Sequence, residues 1–176
     1  MGRKTLAGSS PVPSASMIKL KDKELHRVVS TAIINKDGKY LLLQRSQNKK
    51  AFPGKWTVPG GKLEVDDYIN LPKTTTEHWY FAIDKSLRRE INEETGLEVG
   101  DLKYLCDMIF ISPDEIPTVI LSFYTHWKSG NVKLDQDNIN YAWVTAKEAK
   151  NYDLVEGLLE EIKMVDKIIK GKNQKL

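Results

Sequence analysis

The sequence lacks the features that mark disulfide-rich secreted domains and membrane proteins. It contains one cysteine, Cys106, which cannot form an internal disulfide bond and which fits a reducing compartment such as the cytoplasm. No apolar run approaches the roughly 18 consecutive residues that a membrane-spanning helix needs. The first residues hold no apolar segment typical of a secretory signal. We therefore expect a cytoplasmic protein that does not associate with a membrane.

The chain also lacks a strong charge of either sign. It has 27 Lys and Arg residues against 24 Asp and Glu residues, which gives a net charge of +3. Much of the positive excess lies near the two ends of the chain, where charged residues are usually just solvated. Nucleic-acid-binding domains normally carry a concentrated basic face. The charge therefore argues against a nucleic-acid partner.

What is present suffices for one folded domain. The chain has 176 residues, of which 40% are apolar and 29% are charged, as in ordinary globular proteins. Residues 1–16 are rich in Gly, Ser and Pro without a hydrophobic period, which predicts a flexible leader or an added segment. We expect a single domain over residues 17–170, followed by a basic tail over residues 171–176.

Hydrophobic patterns predict a mixture of strands and helices. Strands are predicted at 26–34, 40–44, 55–58, 102–111, 118–127 and 141–144. Asp37-Gly38 predicts a hairpin between the first two strands. Helices are predicted over 83–95, with Gly96 as its end, and over 155–169. Because strands and helices do not alternate strictly, we expect a layered α+β domain.

The densest chemical signal lies in the predicted helix over 83–95. From Arg89 onward it has the sequence Arg-Glu-Ile-Asn-Glu-Glu-Thr-Gly-Leu. Residues three and four positions apart share a helix face, so Glu90, Glu93 and Glu94 fall within an arc of about 100°. Carboxylates this close repel one another unless a cation such as Mg²⁺ or Mn²⁺ neutralises them. Arg89, one turn before Glu93, can hold that side chain in position.

A solvated acidic helix face is the usual explanation for neighbouring glutamates, and two observations argue against it here. The pattern Arg-Glu-x-x-Glu-Glu-x-Gly fixes five residues, so a random start matches it with a probability on the order of 10⁻⁶. Upstream, Pro59-Gly60-Gly61 supplies consecutive glycines, which usually form only a turn but can bring a backbone carbonyl close to a ligand. Together the two segments predict a loop–helix unit that binds a metal.

These segments resemble the Nudix box, the signature Gly-x5-Glu-x7-Arg-Glu-(apolar)-x-Glu-Glu-x-Gly-(apolar) of the Nudix hydrolases, the MutT-like pyrophosphohydrolases. The C-terminal half is matched throughout from Arg89 to Leu97, and Gly61 with Glu64 matches a frequent variant of the N-terminal half. Further segments resemble the flanks of the box: Gln44-Arg45, Pro53-Gly54-Lys55-Trp56 and Tyr141-x-Trp143-Val144. The resemblance covers one domain, from residue 17 to about residue 165.

The chain departs from the signature at two points. Asp67 stands where the first motif glutamate belongs, and 21 residues separate it from Arg89 where the family has seven, an excess of 14. We interpret residues 68–81 as an inserted loop, either a lid over the substrate or a segment whose aromatic residues pack back on the helix. Asp67, Asp66 or Glu77 could replace the missing glutamate, or none of them does.

The resemblance implies a fold, an activity and a cofactor. The fold is an α/β/α sandwich with a mixed central sheet and a loop–helix–loop catalytic motif. The activity is hydrolysis of a pyrophosphate bond in a nucleoside diphosphate linked to a group X, such as a nucleoside triphosphate or a sugar nucleotide. Mg²⁺ or Mn²⁺ would orient the diphosphate and lower the pKa of a bound water that attacks phosphorus. The partner is then a small-molecule nucleotide, and the protein is a monomer or a homodimer.

The residues that the resemblance implies fall into three groups. The metal ligands are a backbone carbonyl of Gly60 or Gly61 and the carboxylates of Glu90, Glu93 and Glu94. The catalytic residues are Glu90, Glu93, Arg89 and Asp137; Asp137 lies six residues before Trp143 and is a candidate general base besides Glu90. The substrate-binding residues are Arg45, Glu64 and Asp67.

Three other interpretations remain. Isopentenyl-diphosphate isomerases share the fold, but they pair a catalytic cysteine with a glutamate, and Cys106 has no matching context. A non-hydrolytic module that binds nucleotides or regulates another protein would not need intact motif glutamates. A protein outside the family with an acidic helix is the third. Among substrates, nucleoside triphosphates are favoured because the chain has no evident dimer-forming extension; sugar nucleotides such as ADP-ribose stay open.

Overall fold

The computed structural model describes residues 25–173, which form a mixed sheet of eight strands with one helix on each face. The strands are β1 (Arg27–Lys36), β2 (Lys39–Arg45), β3 (Trp56–Thr57), β4 (Gly60–Lys62), β5 (Glu98–Val99), β6 (Lys103–Ile111), β7 (Pro117–Ser129) and β8 (Asn138–Val144). The helices are α1 (Ala82–Thr95) and α2 (Leu158–Asn173), with short 3-10 helices at Val65–Asp67 and Ala149–Asn151. The predicted leader, residues 1–16, and residues 174–176 of the predicted tail lie outside the described residues.

Strand β1 organises the sheet. It runs parallel to β7 along most of its length, while its other edge is shared by two antiparallel partners. The hairpin partner β2 pairs with the end of β1, and β4 pairs with its first half, Val29–Thr31. Strands β3 and β8 pair with β2, and β5 and β6 pair with β7. The split edge brings the glycine-rich strand β4 directly beside the centre of the sheet.

Alternation along the central strands supplies a hydrophobic core on each face of the sheet, because successive strand residues point in opposite directions. The face covered by α2 contains Ile33, Tyr40, Leu42, Val58, Tyr124, Val144, Leu158, Ile162 and Val165. The face covered by α1 contains Ala32, Ile34, Leu41, Leu43, Leu87, Ile91, Leu97 and Val99. The two cores confirm the expected α/β/α layering.

The predicted elements are present, with shifted ends. Helix α1 ends at Thr95 as expected, because Gly96 takes a left-handed φ of 66° and donates its N–H to the Asn92 carbonyl at 2.7 Å. Helix α2 begins at Leu158, after the left-handed Gly157, so the expected start at residue 155 is wrong.

The sequence patterns do not predict β4 and β5. The Gly60-Gly61 segment, which a glycine pair alone would assign to a turn, is paired with β1 as a strand. The two-residue β5 is too short for any alternation to reveal.

The segment inserted at residues 68–81 forms neither a helix nor a strand. The indole N–H of Trp79 donates to the Leu71 carbonyl at 2.9 Å, and the rings of Tyr68 and Trp79 lie 5.5 Å apart. Phe81, the last inserted residue, is 74% exposed. The aromatic residues of the insertion thus contact the insertion itself, and the lid stays a prediction. Helices α1 and α2 do not have the length and apolar character to cross a bilayer, nor does any other helix between residues 25 and 173.

Candidate active site

A cleft of about 510 Å³ opens over the first halves of β1 and β7. Its floor consists of alternate residues of these strands: Arg27, Val29 and Thr31 from β1, and Thr118, Ile120 and Ser122 from β7. These residues continue the alternation of Ile33, so the floor belongs to the sheet face that α2 covers. Strand β4 forms one side of the cleft, and parts of β6 and α2 form the other.

Helix α1 lies on the opposite face of the sheet, yet Glu90 and Glu94 both line the cleft. The glycines of β4 explain how these side chains reach it. A Cβ atom on Gly61 would lie only 2.2 Å from the carboxyl carbon of Glu90, so the carboxylate occupies space that any other residue would fill. Gly60 is equally constrained, because a Cβ atom there would lie 2.3 Å from the Ser30 carbonyl oxygen. Because these two glycines have no side chains, carboxylates of α1 can extend past strand β4 into the cleft.

The carboxylate of Glu94 is fixed by the backbone of β4. The Gly60 N–H donates to its Oε2 atom at 2.9 Å. Burial raises the pKa of Glu94 to about 7, although the Gly60 hydrogen bond acts in the opposite direction. Burial also raises the pKa of Glu90, while the Arg89 guanidinium lowers it. Both carboxylates thus stand where solvent stabilises their charge poorly, and a cation would stabilise it well.

Arg89 connects the acidic residues around this position. Its Nε and Nη2 atoms donate to Asp67 at 2.6 and 3.1 Å, and its Nη1 atom donates to Glu93 at 2.8 Å. Its Nη2 atom also lies 2.9 Å from Oε1 of Glu90. The predicted contact from Arg89 to Glu93 is therefore present, and the same guanidinium also holds two further carboxylates.

Asp67 is the most enclosed of these acids, with a side chain only 7% exposed. Besides Arg89, it accepts hydrogen bonds from the Ser86 hydroxyl and the Glu64 N–H, each at 2.8 Å. The Arg89 hydrogen bonds hold the pKa of Asp67 at about 2, below its usual 3.8. Of the candidates for the missing motif glutamate, Asp67 contacts Arg89, whereas Asp66 and Glu77 are exposed. These contacts hold Asp67 against helix α1, and a direct contact with substrate remains a prediction.

The other predicted site residues lie around the cleft. Arg45 lines it and donates its Nε hydrogen to the Ala51 carbonyl at 2.9 Å. Asp137 also lines it, and its carboxylate accepts a hydrogen bond from Lys49 at 2.6 Å. Glu64 stands at the mouth of the cleft with a side chain that is 60% exposed. The cleft thus brings together most of the predicted set.

Three predicted site residues do not line the cleft in the described part of the chain: Arg89, Asp67 and, the most exposed of the three, Glu93. The Glu93 side chain is 57% exposed and is bound to Arg89. Across residues 25–173, no three His, Cys, Asp or Glu side chains lie close enough together to hold one metal ion. The three-carboxylate patch expected from helix spacing is therefore divided: Glu93 is bound to Arg89 outside the cleft, whereas Glu90 contacts the same guanidinium and still lines the cleft.

The donor set that remains fits a hard divalent cation. Glu90 and Glu94 supply partly buried carboxylate oxygens, and β4 brings backbone beside them. Mg²⁺ and Mn²⁺ prefer such oxygen ligands and keep several water molecules, so they do not need a complete shell of protein side chains. The space opened by Gly61 is filled by Glu90 itself, which directs that carboxylate toward the cleft. The chemistry of the site thus agrees with the metal that the Nudix resemblance implies.

Several cleft residues escaped the sequence analysis. Lys49 lines the cleft beside Arg45, and Arg27 lines its far end, where it forms a 2.6 Å ion pair with Asp114. No local pattern marks these residues, because contacts between segments far apart in sequence bring them to the cleft. Glu161 is different: it occupies a buried position within the apolar pattern of α2, and a charged residue on such a helix face is a signal that the sequence contains.

The partly buried Asp67–Arg89 contact predicts a measurable contribution to stability. Asp67→Asn keeps the shape but removes the charge, and we expect it to lower the free energy of unfolding by about 1–3 kcal/mol at pH 7. Because the pKa of Asp67 is lowered in the folded state, its contribution is complete above its ordinary pKa and disappears as the pH falls toward about 2. Urea unfolding of the wild type and of Asp67→Asn should therefore show a difference in the free energy of unfolding that becomes smaller below about pH 4.

The matched control is Asp66→Asn, which makes the same change in the exposed neighbouring residue. It should alter stability by no more than about 0.5 kcal/mol. Equal effects of the two substitutions, or a difference that does not depend on pH, would contradict the assigned role of Asp67.

Comparisons with known proteins agree with this geometry. The NUDIX domain matches residues 24–163 of the chain. A nucleoside triphosphatase NudI from Klebsiella pneumoniae (strain 342) is 28% identical over 139 residues, which cover 73% of this chain and 88% of that protein. Among solved structures, a MutT protein from Methanosarcina mazei Go1 is 25% identical with a TM-score of 0.61, over 85% of this chain and 99% of that one.

A more distant neighbour supports the fold alone. An ADP-ribose pyrophosphatase from Streptococcus suis 89-1591 is 16% identical with a TM-score of 0.57, and the match covers 81% of this chain and 90% of that one. Because the domain match covers most of the chain and glutamates of the family motif line a cleft, this chain belongs to the NUDIX family and is a pyrophosphate-cleaving hydrolase.

Proposed function

We propose that this protein hydrolyses the pyrophosphate bond of a nucleoside triphosphate in a reaction that depends on Mg²⁺ or Mn²⁺. The observation that carries the proposal is the pair of desolvated carboxylates, Glu90 and Glu94, held against the glycine strand β4 inside one cleft. A pair of buried like charges costs free energy unless a cation neutralises it. The negative charge of a diphosphate bound beside that cation would be neutralised by it as well.

The metal would be held by the carboxylates of Glu90 and Glu94 and by a backbone carbonyl of Gly60 or Gly61. Once bound, it supplies Lewis-acid chemistry, neutralising the diphosphate and lowering the pKa of a coordinated water. Glu93 would join this set only by exchanging its contact with Arg89 for one with the metal. We therefore assign it a weaker contribution than its two neighbours.

Charged residues of the chain would position the substrate. Arg45 and Lys49 on one side of the cleft are suited to the negative charge of the phosphates. Arg89 and Asp67 act beneath them as positioning residues, because they orient the carboxylates of α1 without lining the cleft themselves. Glu64, at the mouth of the cleft, is available to bind substrate.

Two carboxylates are candidates for the general base that removes a proton from the attacking water. Glu90 lines the cleft against Gly61 of β4, so one of its carboxylate oxygens can take up the proton. Asp137 lines the same cleft from the loop before β8, but its carboxylate is already bound to Lys49. We favour Glu90 as the general base, and the substitution Asp137→Asn decides the role of Asp137.

Nucleoside triphosphates are the preferred substrate class because the NudI relative is a nucleoside triphosphatase. The match with this chain covers 88% of that relative's length. ADP-ribose and other sugar nucleotides are tested beside them, since a structural neighbour is an ADP-ribose pyrophosphatase. The alternative is a non-hydrolytic nucleotide-binding module. The intact carboxylate pair of α1, held beside β4, favours the enzyme.

The first test measures phosphate and pyrophosphate release from a panel of nucleotides with Mg²⁺, with Mn²⁺ and with EDTA. We expect release from a nucleoside triphosphate that requires the metal. Glu90→Gln and Glu94→Gln should each lower kcat by at least about 10²-fold, because each removes a charge that holds the metal. Glu160→Gln makes the same change on exposed α2 and should leave kcat unaltered. Metal-independent release, or equal effects of all three substitutions, would refute the proposal.

The second test concerns the space at Gly61. Gly61→Ala introduces a methyl group where the Glu90 carboxylate now lies, so that the flexible end of Glu90 must move. We expect kcat to fall by about tenfold or more while the melting temperature changes little, because no backbone atom is displaced. Gly171→Ala, at a helical glycine with open space around it, is the control and should leave kcat unchanged. A fully active Gly61→Ala enzyme would remove Glu90 from the mechanism.

The third test decides the role of Asp137. If it is the general base, Asp137→Asn should lower kcat by about 10²-fold or more with little change in stability. If it only holds Lys49, then Asp137→Asn and Lys49→Met should both raise KM and leave kcat within about threefold of the wild type. We expect the second result, and a large loss of kcat confined to Asp137→Asn would overturn it.

A further inference from the structure

The floor of the cleft is arranged in rows that cross the sheet. Strand pairing places Thr31 beside Gly60 on one side and beside Ser122 on the other, with Cys106 of β6 next in the row. Adjacent strands lie about 4.8 Å apart, so Ser122 stands about 10 Å from Gly60 across the sheet. A ribose and a base can span that distance from a phosphate group held at β4.

The neighbouring row gives this part of the cleft an apolar surface. Val29, Ile120 and Met108 lie side by side on β1, β7 and β6, and all three line the cleft. At the rim, Phe110 packs on Phe52 with ring centroids 5.9 Å apart. A flat apolar floor beside aromatic rings suits a nucleobase better than a phosphate or a sugar.

One charged side chain interrupts this apolar region. Glu161 of α2 lines the cleft and is only 7% exposed. Its carboxylate is hydrogen-bonded to Ser122, whose hydroxyl also lies 3.2 Å from that of Thr31. Burial raises the pKa of Glu161, and the Ser122 hydrogen bond only partly offsets that effect. A carboxylate has room for about four hydrogen bonds, so Glu161 retains acceptor capacity toward the cleft.

We propose that Glu161 is a specificity-determining residue that accepts a hydrogen bond from the exocyclic amino group of a nucleobase. This inference rests on the proposed function, because it assumes that the diphosphate is bound beside Glu90 and Glu94. A base with an oxo group at the same edge would place that hydrogen-bond acceptor against the Glu161 carboxylate, which is also an acceptor. Such a mismatch leaves buried polar groups unpaired, which is the type of contact that discriminates most strongly between substrates.

The test compares nucleotides that exchange an amino group for an oxo group or a hydrogen. The pairs are CTP and UTP, ATP and ITP, and GTP and ITP. For the wild type, we expect kcat/KM to favour the amino member of at least one pair by about tenfold or more. In Glu161→Gln, the amide can donate to an oxo group as well as accept from an amino group, so the preference should fall to about threefold or less.

Two controls separate base recognition from other roles of Glu161. Glu160→Gln, at the residue of α2 that precedes Glu161, should keep the wild-type preference for amino-bearing nucleotides. The ratio for CTP and dCTP reports on the sugar, and it should not change in Glu161→Gln. A wild type without preference in any pair, an equal loss for both members of each pair, or a change confined to the CTP and dCTP ratio would overturn the proposal.

A binding measurement keeps this inference separate from the proposed hydrolysis. Calorimetry with CMP, UMP, AMP, IMP and GMP, without metal, measures base recognition in the absence of catalysis. One outcome is that no triphosphate is hydrolysed, but the wild type binds an amino-bearing monophosphate more tightly than its oxo counterpart and Glu161→Gln does not. In that case only the proposed function fails. If hydrolysis requires metal but neither kinetics nor binding depends on Glu161, then only this inference fails. Absence of any dependence on Glu161 in binding contradicts it in either case.

Discussion

The contact between strand β4 and helix α1 is the constraint on which the site depends. Helix α1 packs on one face of the sheet through Leu87 and Ile91, whereas the cleft lies on the other face. Carboxylates from α1 can reach the cleft only where the sheet edge has no side chains. Gly60 and Gly61 provide that edge: the first donates its N–H to Glu94, and the second leaves the space that Glu90 occupies. The same glycines serve as strand partners of β1, so the central pairing of the fold also positions the chemical groups.

Charge balance around Arg89 provides the second level of organisation. This single guanidinium contacts Asp67, Glu90 and Glu93, and Asp67 in turn joins it to the short 3-10 helix that follows β4. The chain thereby connects the two halves of the family motif through an ion pair, although an insertion separates them in sequence. Asp67 is one methylene shorter than the glutamate that the family uses, yet it makes both contacts to Arg89. The ion pair thus holds Asp67 against helix α1 on the other side of the insertion.

The sequence was sufficient to predict the layered fold, helix α1 and the two α1 carboxylates of the cleft, because helical periodicity and a spaced motif are local signals. It did not predict that Glu93 would lie outside the cleft that Glu90 and Glu94 line, since helix spacing places all three on one face of α1 and does not show where the cleft opens. Strand β4 was missed because two glycines carry no hydrophobic alternation. Arg27 and Lys49 reach the cleft through contacts between segments that are distant in sequence, which no local pattern encodes, whereas Glu161 is marked locally as a charged residue within the apolar pattern of α2.

The central claim is that Glu90 and Glu94 share a divalent cation beside β4, and anomalous diffraction from crystals soaked in Mn²⁺ tests it most directly. The account predicts an anomalous peak in contact with both carboxylates and with a backbone carbonyl of Gly60 or Gly61. The peak should disappear in crystals of Glu94→Gln and persist in those of Glu160→Gln. An Mn²⁺ ion bound away from both glutamates, or no bound ion at a concentration that supports hydrolysis, would contradict the claim.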